Sequence, residues 1–273
     1  MEEIRCSIEE FPRYYDVAFG ADRWLQSGHQ YSIYVECNFL KQVFEKYALK
    51  PVKSVLELGC GPAYHPIRLA QMGYETAGLD IKQKMIDYAR KQAVEKGVKV
   101  EFFQGDIRNF RLPRKFDACI ITLDLIRLLL TNDEIVSHFC SVAEALNEGG
   151  LYVVEYAHPK EMLGLGRTTT PEWTTEAQEI KITCKFALTG WDFEKQTTRF
   201  IEEYVIEEKG KKFKIYDEGE SRILLPKELL ALVQLSGKFE FCNFYGAYGV
   251  EIGLNHEKAW RTIAILRKPC TGL

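Results

Sequence analysis

The sequence has no Cys-x-x-Cys pair, although it carries eight cysteines: Cys6, Cys37, Cys60, Cys119, Cys140, Cys184, Cys242 and Cys270. Most sit inside apolar runs, as in Asp-Ala-Cys119-Ile-Ile. Scattered core thiols fit a reducing compartment, so a cytoplasmic location without a disulfide framework is expected. The five histidines show no metal-ligand spacing, and no metal is expected. No apolar run reaches the roughly 18 residues of a membrane-spanning helix. The stretch Met-Glu-Glu-Ile-Arg-Cys is acidic and lacks a long apolar segment, so no signal peptide is expected. Repeats and low-complexity tracts are missing too. Neither sign of charge dominates: 36 basic and 39 acidic residues leave a net charge of −3. That balance gives no broad attraction to nucleic acid or an anionic membrane. A small molecule, or another protein, is the expected partner.

What is present is a chain of 273 residues, 46% hydrophobic and 27% charged, enough for one elaborated α/β domain with a sizeable core. Residues 30–48 show helical spacing, with Ile33, Cys37, Leu40, Phe44 and Tyr47 on one stripe. Short apolar strands are predicted at Val52–Leu58, Glu75–Leu79, Val98–Phe103, Phe116–Leu123 and Leu151–Tyr156. Helices fall between them, around Ile67–Met72, at Lys82–Lys96 and at Asp133–Leu146 with Asn132 as N-cap. Phe116–Leu123 is apolar throughout, which suits burial on both faces of a parallel sheet. Strands alternating with helices specify a doubly wound α/β sheet. From Glu176 to Ile223 the pattern changes to strict alternation. Ile180–Thr189, Thr197–Glu207 and Lys212–Glu220 read as about three antiparallel strands. A helix at Pro226–Ser236 and strands at Phe239–Tyr245 and Ala259–Arg267 complete the chain.

One segment carries most of the chemistry. Lys53-Ser-Val-Leu-Glu57-Leu-Gly59-Cys60-Gly61-Pro-Ala63 ends an apolar run in two glycines, and Asp80 ends the next strand. Such a layout suits a nucleoside-containing cofactor at the carboxyl ends of parallel strands. Glycine lets the backbone approach a ligand closely. A carboxylate at the next strand end accepts from both ribose hydroxyls. A dinucleotide site wants Gly-x-Gly-x-x-Gly, but the third position here is Tyr64, too bulky for close helix–strand packing.

On Glu57-Leu-Gly59-Cys60-Gly61-Pro-Ala63 the chain resembles the class I S-adenosylmethionine-dependent methyltransferases, with Ala63 in place of a third glycine. The resemblance continues at Thr76-Ala-Gly-Leu-Asp80-Ile81, Met85, Gln104-Gly105-Asp106-Ile107, Phe116-Asp117-Ala118 and Leu146-Asn-Glu-Gly149-Gly150. It covers roughly residues 11–160. It implies S-adenosylmethionine as cofactor and a doubly wound, mostly parallel seven-stranded sheet with a small antiparallel insertion. It also implies a set of cofactor-binding residues. Gly59, Cys60 and Gly61 form the loop at the methionine portion and ribose. Glu57 holds that loop, or bonds the cofactor ammonium through water. Asp80 chelates the ribose, and Ile81 and Met85 face the adenine. Gly105 leads into Asp106 and the Ile107 amide, which meet the adenine edge. Leu123 and Asp124 line the floor near the sulfonium. Each acid has a plainer alternative as a helix cap or turn residue, and Met85 as core.

More narrowly, Tyr15-Asp16 and Gly105–Phe116 look like the small-molecule branch that includes amino-sugar N-methyltransferases. That implies Tyr15 closing over the cofactor, unless Tyr14 and Tyr15 are simply a helix packing face. Phe19 and Leu128 stand where relatives carry proton-handling groups. His158 is the general-base candidate by position. Arg127 is a candidate for binding a substrate carboxylate or phosphate, against a surface helix residue. Tyr156, Trp173, Trp191, Tyr245 and Tyr248 are candidates for an aromatic pocket, or core. Expected organisation is a single domain over 1–273: an N-terminal helical cap (1–50), a cofactor-binding core (51–160), an antiparallel insertion over the substrate side (176–223) and the rest of the core sheet (224–273). The expected reaction is methyl transfer by in-line displacement to N or O of a small molecule, by a monomer or homodimer. The competing expectation is a catalytically silent S-adenosylmethionine-binding regulatory protein.

Overall fold

A computed structural model describes residues 2–20, 32–162, 172–177 and 179–270. Gln30 and Tyr31 of the predicted N-terminal helix therefore lie outside the described residues, as do residues 163–171. The chain forms two sheets. Seven strands make the larger: β2 (Ser54–Leu58), β3 (Glu75–Asp80), β4 (Val100–Gln104), β5 (Phe116–Ile121), β6 (Leu146–Ala157), β11 (Glu240–Tyr245) and β12 (Arg261–Arg267). Their order is β11-β12-β6-β5-β2-β3-β4. β2 pairs in parallel with β3 and β5, β3 with β4, and β5 with β6. Only β12 opposes its neighbours, running antiparallel to β6 and β11. The chain leaves β2 in one direction for β3 and β4, then returns to the other side of β2 at β5. The gap between β2 and β5 is thus the topological switch point, where open α/β sheets bind ligands.

The central strands are buried on both faces, and their sequences show why. Ser54–Leu58 is buried at every position, and Val55, Leu56, Leu58, Ala118, Cys119, Ile120 and Ile121 are at most 1% exposed. Helices cover the faces: α2 (Ile33–Tyr47), α3 (Tyr64–Gln71), α4 (Gln83–Glu95), α5 (Asn132–Ala145) and α6 (Pro226–Ser236). The predicted stripe of α2 is the buried one, with Cys37, Leu40 and Phe44 packed on Val55, Ile120 and Val153. α5 is capped one residue earlier than its sequence predicts. Thr131 Oγ1 accepts the Glu134 amide at 3.2 Å while Glu134 accepts the Thr131 amide at 3.0 Å, a reciprocal capping box. β6 begins at Leu146 rather than Leu151. Gly149, at φ 74°, turns within the strand instead of ending a helix before it.

The smaller sheet has five strands, not the three the sequence predicts. β7 (Glu172–Ala177), β8 (Ile180–Asp192), β9 (Thr197–Glu208) and β10 (Lys211–Arg222) are antiparallel neighbours. β1 (Glu2–Arg5) adds to β10 in parallel. One face is apolar at one end: Ile180, Ile182, Cys184, Tyr204, Ile206 and Ile215 pack against Tyr14, Tyr15, Ala18 and Phe19 of α1 (Pro12–Phe19). At its other end the sheet reaches the one-turn segment Leu125–Leu128 that follows β5. It therefore bridges two rims of the switch point.

Candidate functional site

β2 ends at Leu58, and the chain must then turn sharply to start α3. Gly59 does so at φ +63°, and a Cβ there would collide with the Leu125 side chain. Gly61 does so at φ +48°, and an added Cβ would meet no atom within 4 Å. The first glycine answers to packing, whereas the second opens onto free space. Ala63 also keeps a left-handed conformation, φ 63° and ψ 41°, the geometry a glycine adopts freely. Cys60 is buried against Gly78, where a Cβ would run into its sulfur. Burial pushes its thiol well above the ordinary value, so it packs and does not react.

Asp80 closes the loop from the next strand. Its Oδ2 accepts the Gly61 amide and its Oδ1 the Lys82 amide, each at 2.8 Å. Burial pushes its carboxyl up, against those two amides. Each oxygen keeps a second lone pair for a ligand hydroxyl. Ile81 beside it is 55% exposed, an apolar surface at the mouth of the switch point. Met85 is different: at 1% exposed it belongs to the core beneath α4 and presents no surface to a ligand. Gly105 follows β4, its amide bonded to the Asp80 carbonyl at 3.0 Å. Asp106 is engaged by its neighbour Arg108, whose Nε lies 2.9 Å from Oδ2 and whose amide is 2.9 Å from Oδ1. That bond holds the Asp106 carboxyl below its ordinary value. The Ile107 carbonyl accepts from His138 Nδ1 at 2.6 Å, fixing the same turn from α5.

Glu57 lies under the loop, 3% exposed. Its Oε1 accepts from Thr122 Oγ1 at 3.2 Å and from His65 Nδ1 at 2.7 Å. His65 Nε2 contacts Glu36 Oε2 at 2.9 Å. Burial opposes charge on the imidazole, but the Glu57 and Glu36 carboxylates overrule it and raise its pKa to about 9. Sequence reading overlooked His65 and Glu36. A signal was present, since Glu36 sits on the apolar stripe of α2.

At the end of β5, Leu123 and Asp124 are successive left-handed residues, φ 58° and 64°. Such strain is held in place by surrounding bonds. The Leu123 amide donates to Glu155 Oε2 at 2.6 Å, and Asp124 accepts the Ala157 amide. Arg261 bonds Glu155 and lies 3.3 Å from Asp124. Burial opposes charge on Asp124, yet Arg261 and Arg127 hold its carboxyl below the ordinary value. Glu155 was missed as well, although a carboxylate inside Leu151–Tyr156 stands out.

The two residues expected to handle substrate are engaged elsewhere. His158 contacts the Leu254 carbonyl through Nε2 at 2.9 Å and accepts the Lys160 amide at Nδ1, 3.2 Å. Both ring nitrogens are used, and burial lowers its pKa, so it has no lone pair for a proton from substrate. Arg127 is neither on the surface nor open to an anion. Its Nε donates to the Arg222 carbonyl at 2.7 Å, Nη2 to Ser221 at 3.2 Å and Nη1 to Asp124 at 3.4 Å. It ties the segment after β5 to the small sheet. The expected aromatic pocket is dispersed: Tyr156 and Tyr245 are buried core, Tyr248 packs on Trp260, and Trp191 lies 41% exposed.

α1 lies across the other rim. Tyr15 packs on Phe19, ring centroids 5.0 Å apart, within the cluster under the small sheet. Asp16 accepts from the hydroxyls of Tyr64, at the start of α3, and of Tyr88 on α4. Lys82 reaches Glu10 at 2.9 Å. Burial raises the Glu9 carboxyl, and the charges of Asp80 and of Asp217 on β10 add to it against Lys82, 3.6 Å away. On the same sheet face Glu202 of β9 stands directly opposite Asp217. Tyr204 donates to Glu202 at 2.7 Å, and burial pushes Glu202 up to about 7.

Comparisons with known proteins agree with this geometry. Residues 55–150 match the family model described as a methyltransferase domain. A dTDP-3-amino-3,4,6-trideoxy-alpha-D-glucopyranose N,N-dimethyltransferase from Streptomyces venezuelae is 35% identical over 102 residues, 37% of this chain and 41% of that protein. The chain thus matches less than half the length of such curated relatives. Among solved structures, an S-adenosylmethionine-dependent methyltransferase from Clostridium acetobutylicum superposes with a TM-score of 0.75 at 16% identity, covering 95% of this chain and 98% of that one. An amino pentose methyltransferase from Micromonospora echinaspora, solved with S-adenosylmethionine bound, gives 0.68 at 18% identity, covering 89% and 94%. The match is a domain match in sequence and a whole-chain match in fold. Residues 55–150 are a methyltransferase domain, and the chain as a whole shares the fold of solved S-adenosylmethionine-dependent methyltransferases, resembling the amino-sugar N-methyltransferases among them.

Proposed function

We propose that this protein transfers a methyl group from S-adenosylmethionine to the nitrogen of a small-molecule amine. The observation that carries the reading is the pair formed by the Gly61 turn and Asp80: free space beside a left-handed glycine, closed by a carboxylate with lone pairs to spare. Those features fit a nucleoside ligand, with Ile81 offering an apolar surface for its base. Asp106 and the Ile107 amide border the same mouth. S-adenosylmethionine, when bound, supplies a methyl group on a sulfonium sulfur, already activated for displacement.

The protein's own work is then alignment, exclusion of water and proton handling. Gly59–Gly61 and Asp80 fix the donor side. Leu123 and Asp124, locked by Glu155 and Arg261, give a rigid floor at the end of β5. α1 and the small sheet cover the opening. An amine serves better than an alcohol here for a stated reason. Glu202 and Asp217 face each other across the β9–β10 ladder with no lysine or arginine paired to either among the described residues. Like charges directly opposite disfavour the empty sheet, and a substrate ammonium relieves that. Glu202, pushed up to about 7 by burial, is suited to take a proton from the ammonium and leave a neutral nucleophile. Purified protein with S-adenosylmethionine and matched amines and alcohols tests this. S-adenosylhomocysteine is expected to form with amines, and formation with alcohols alone overturns the acceptor. Calorimetry on Asp80→Ala tests the donor site: undiminished S-adenosylmethionine affinity overturns it.

A further inference from the structure

The face of the small sheet that packs on α1 changes character along its length. At one end Cys184, Tyr204 and Ile215 form a cross-strand row that α1 covers, with the Phe19 ring 5.9 Å from that of Tyr204. Side chains on one face recur every second residue, about 7 Å apart along a strand. The next row is therefore Phe186, Glu202 and Asp217, and the one after it Leu188, Phe200 and Gly219. A fourth row pairs Thr198 with Ser221. Two contacts set these rows against the rims of the switch point. Glu9 lies close enough to feel the charges of both Asp80 and Asp217, so the acidic row borders the donor side. Ser221 bonds Arg127, so the fourth row borders the segment after β5. The Leu188–Phe200–Gly219 row is held between the two.

That row has no hydrogen-bonding side chain. Beyond it, Thr198 bonds the Gly190 carbonyl at 2.8 Å and Ser221 bonds Arg127 at 3.2 Å, so both hydroxyls are engaged within the protein. What the row offers is a flat apolar surface. The Phe200 ring rests on Gly219, where an added Cβ would stand 2.6 Å from its Cζ. The Phe186 ring lies beside it, centroids 6.3 Å apart and planes within 19° of parallel. Phe186, Leu188 and Phe200 are all half-buried, and none belongs to the apolar clusters formed by the described residues. We infer that the acceptor is an amine bearing an aromatic ring, its ammonium at Glu202 and Asp217 and its ring on Phe200 and Phe186, and that Phe200 selects it. Charge complementarity fixes one end of the occupant, and the apolar row fixes the other about 7 Å away. A polyhydroxylated amine would surrender water to a surface that cannot hydrogen-bond it. An aromatic ring leaves water favourably and gains ring contact. The inference rests on the amine reading above and narrows it.

The test is formation of S-adenosylhomocysteine by the purified protein from three probe amines: 3-phenylpropylamine, propylamine and glucosamine. With the wild type, kcat/KM for 3-phenylpropylamine is expected to exceed that for each of the others by about tenfold or more, as burial of a phenyl ring requires. In Phe200→Ala the ratio of kcat/KM for 3-phenylpropylamine to that for propylamine is expected to fall by about tenfold, mainly through KM. A ratio taken within one protein cancels any general loss of activity, so a merely structural role leaves it unchanged. Gly219→Ala is the second variant. Its backbone is outside the left-handed region, and its Cβ lifts the Phe200 ring from its seat. The ratio is expected to fall there too, with every aromatic side chain still present. A wild type that does not favour 3-phenylpropylamine, or a ratio within about threefold of the wild type's in either variant, overturns the inference and leaves amine methylation standing. Turnover of none of the three amines overturns both.

Discussion

Replacing His65 by glutamine should change how stability depends on pH, and the structure fixes both sign and size. In the unfolded chain a histidine titrates near 6.5, whereas the folded protein raises His65 to about 9. Between those values the folded protein keeps a proton that the unfolded chain has released. Stability from this group is therefore fully present below pH 6.5 and is lost as pH rises through 9. About two and a half pH units at 1.36 kcal/mol each make the whole contribution about 3 kcal/mol. Other groups titrate in the same window, notably tyrosines and thiols, so the informative quantity is a difference. Urea unfolding of the wild type and His65→Gln at pH 6.5, 7.5, 8.5 and 9.5, extrapolated linearly to water, gives that difference at each pH. The wild-type advantage should shrink by about 3 kcal/mol across the series, because above pH 9 His65 is neutral and no longer answers the two carboxylates beside it. A difference that stays constant within about 0.5 kcal/mol means that His65 is neutral in the folded state, and the argument for a buried charged group fails.

Three further outcomes are expected. Gly61→Ala should cost only about 1–2 kcal/mol of stability, the left-handed penalty, yet weaken S-adenosylmethionine binding at least tenfold, because its Cβ enters the free space. Gly59→Ala should be the more destabilising of the two, since it meets Leu125 as well; thermal melts and calorimetry on both variants check the contrast. Asp16→Asn weakens the bonds from Tyr64 and Tyr88, so amide exchange over Pro12–Phe19 should speed up while exchange in β2 and β3 does not change. Arg261→Met strands Glu155 and Asp124 without their buried cation and should cost about 3–5 kcal/mol in chemical unfolding; a loss under about 1 kcal/mol refutes the assigned role.

The donor half was legible because it is built from contiguous sequence. Gly59, Gly61 and Asp80 each follow a short apolar strand, and strand ends are visible as a change in hydrophobic period. Even there, local chemistry escaped the reading. Arg108 lies two residues from Asp106 and takes both its oxygens, while Met85 turns inward on a helix whose inward face includes Ile86 and Ala89. β6 was cut short because Gly149-Gly150 resembles a helix stop; its pairing with β5 extends to Leu146 through an irregularity. β1 went unread for a different reason. Four alternating residues have little signal, and the strand exists only because β10 offers an edge. His158 and Arg127 were placed correctly along the chain and misjudged in role, since hydrogen bonds to Leu254 and Arg222 depend on partners roughly a hundred residues away.

The acceptor half was illegible because no segment contains it. In the proposed reading its roof is the face of β9 and β10 that carries Glu202 and Asp217, and that opposition is a matter of cross-strand register. One rim is α1, tied to the core by Asp16, and the other is Leu125–Leu128, tied to the sheet by Arg127. The second tie explains Arg127, which in sequence looked like a substrate-binding or surface residue. A sheet that covers a reaction site must be held at both rims, or water enters when the donor binds. Buried hydrogen bonds do this more specifically than apolar contact, since a slipped register would leave Arg127 and Asp16 unpaired. The protein thus spends these polar side chains on fixing the small sheet against both rims of the switch point.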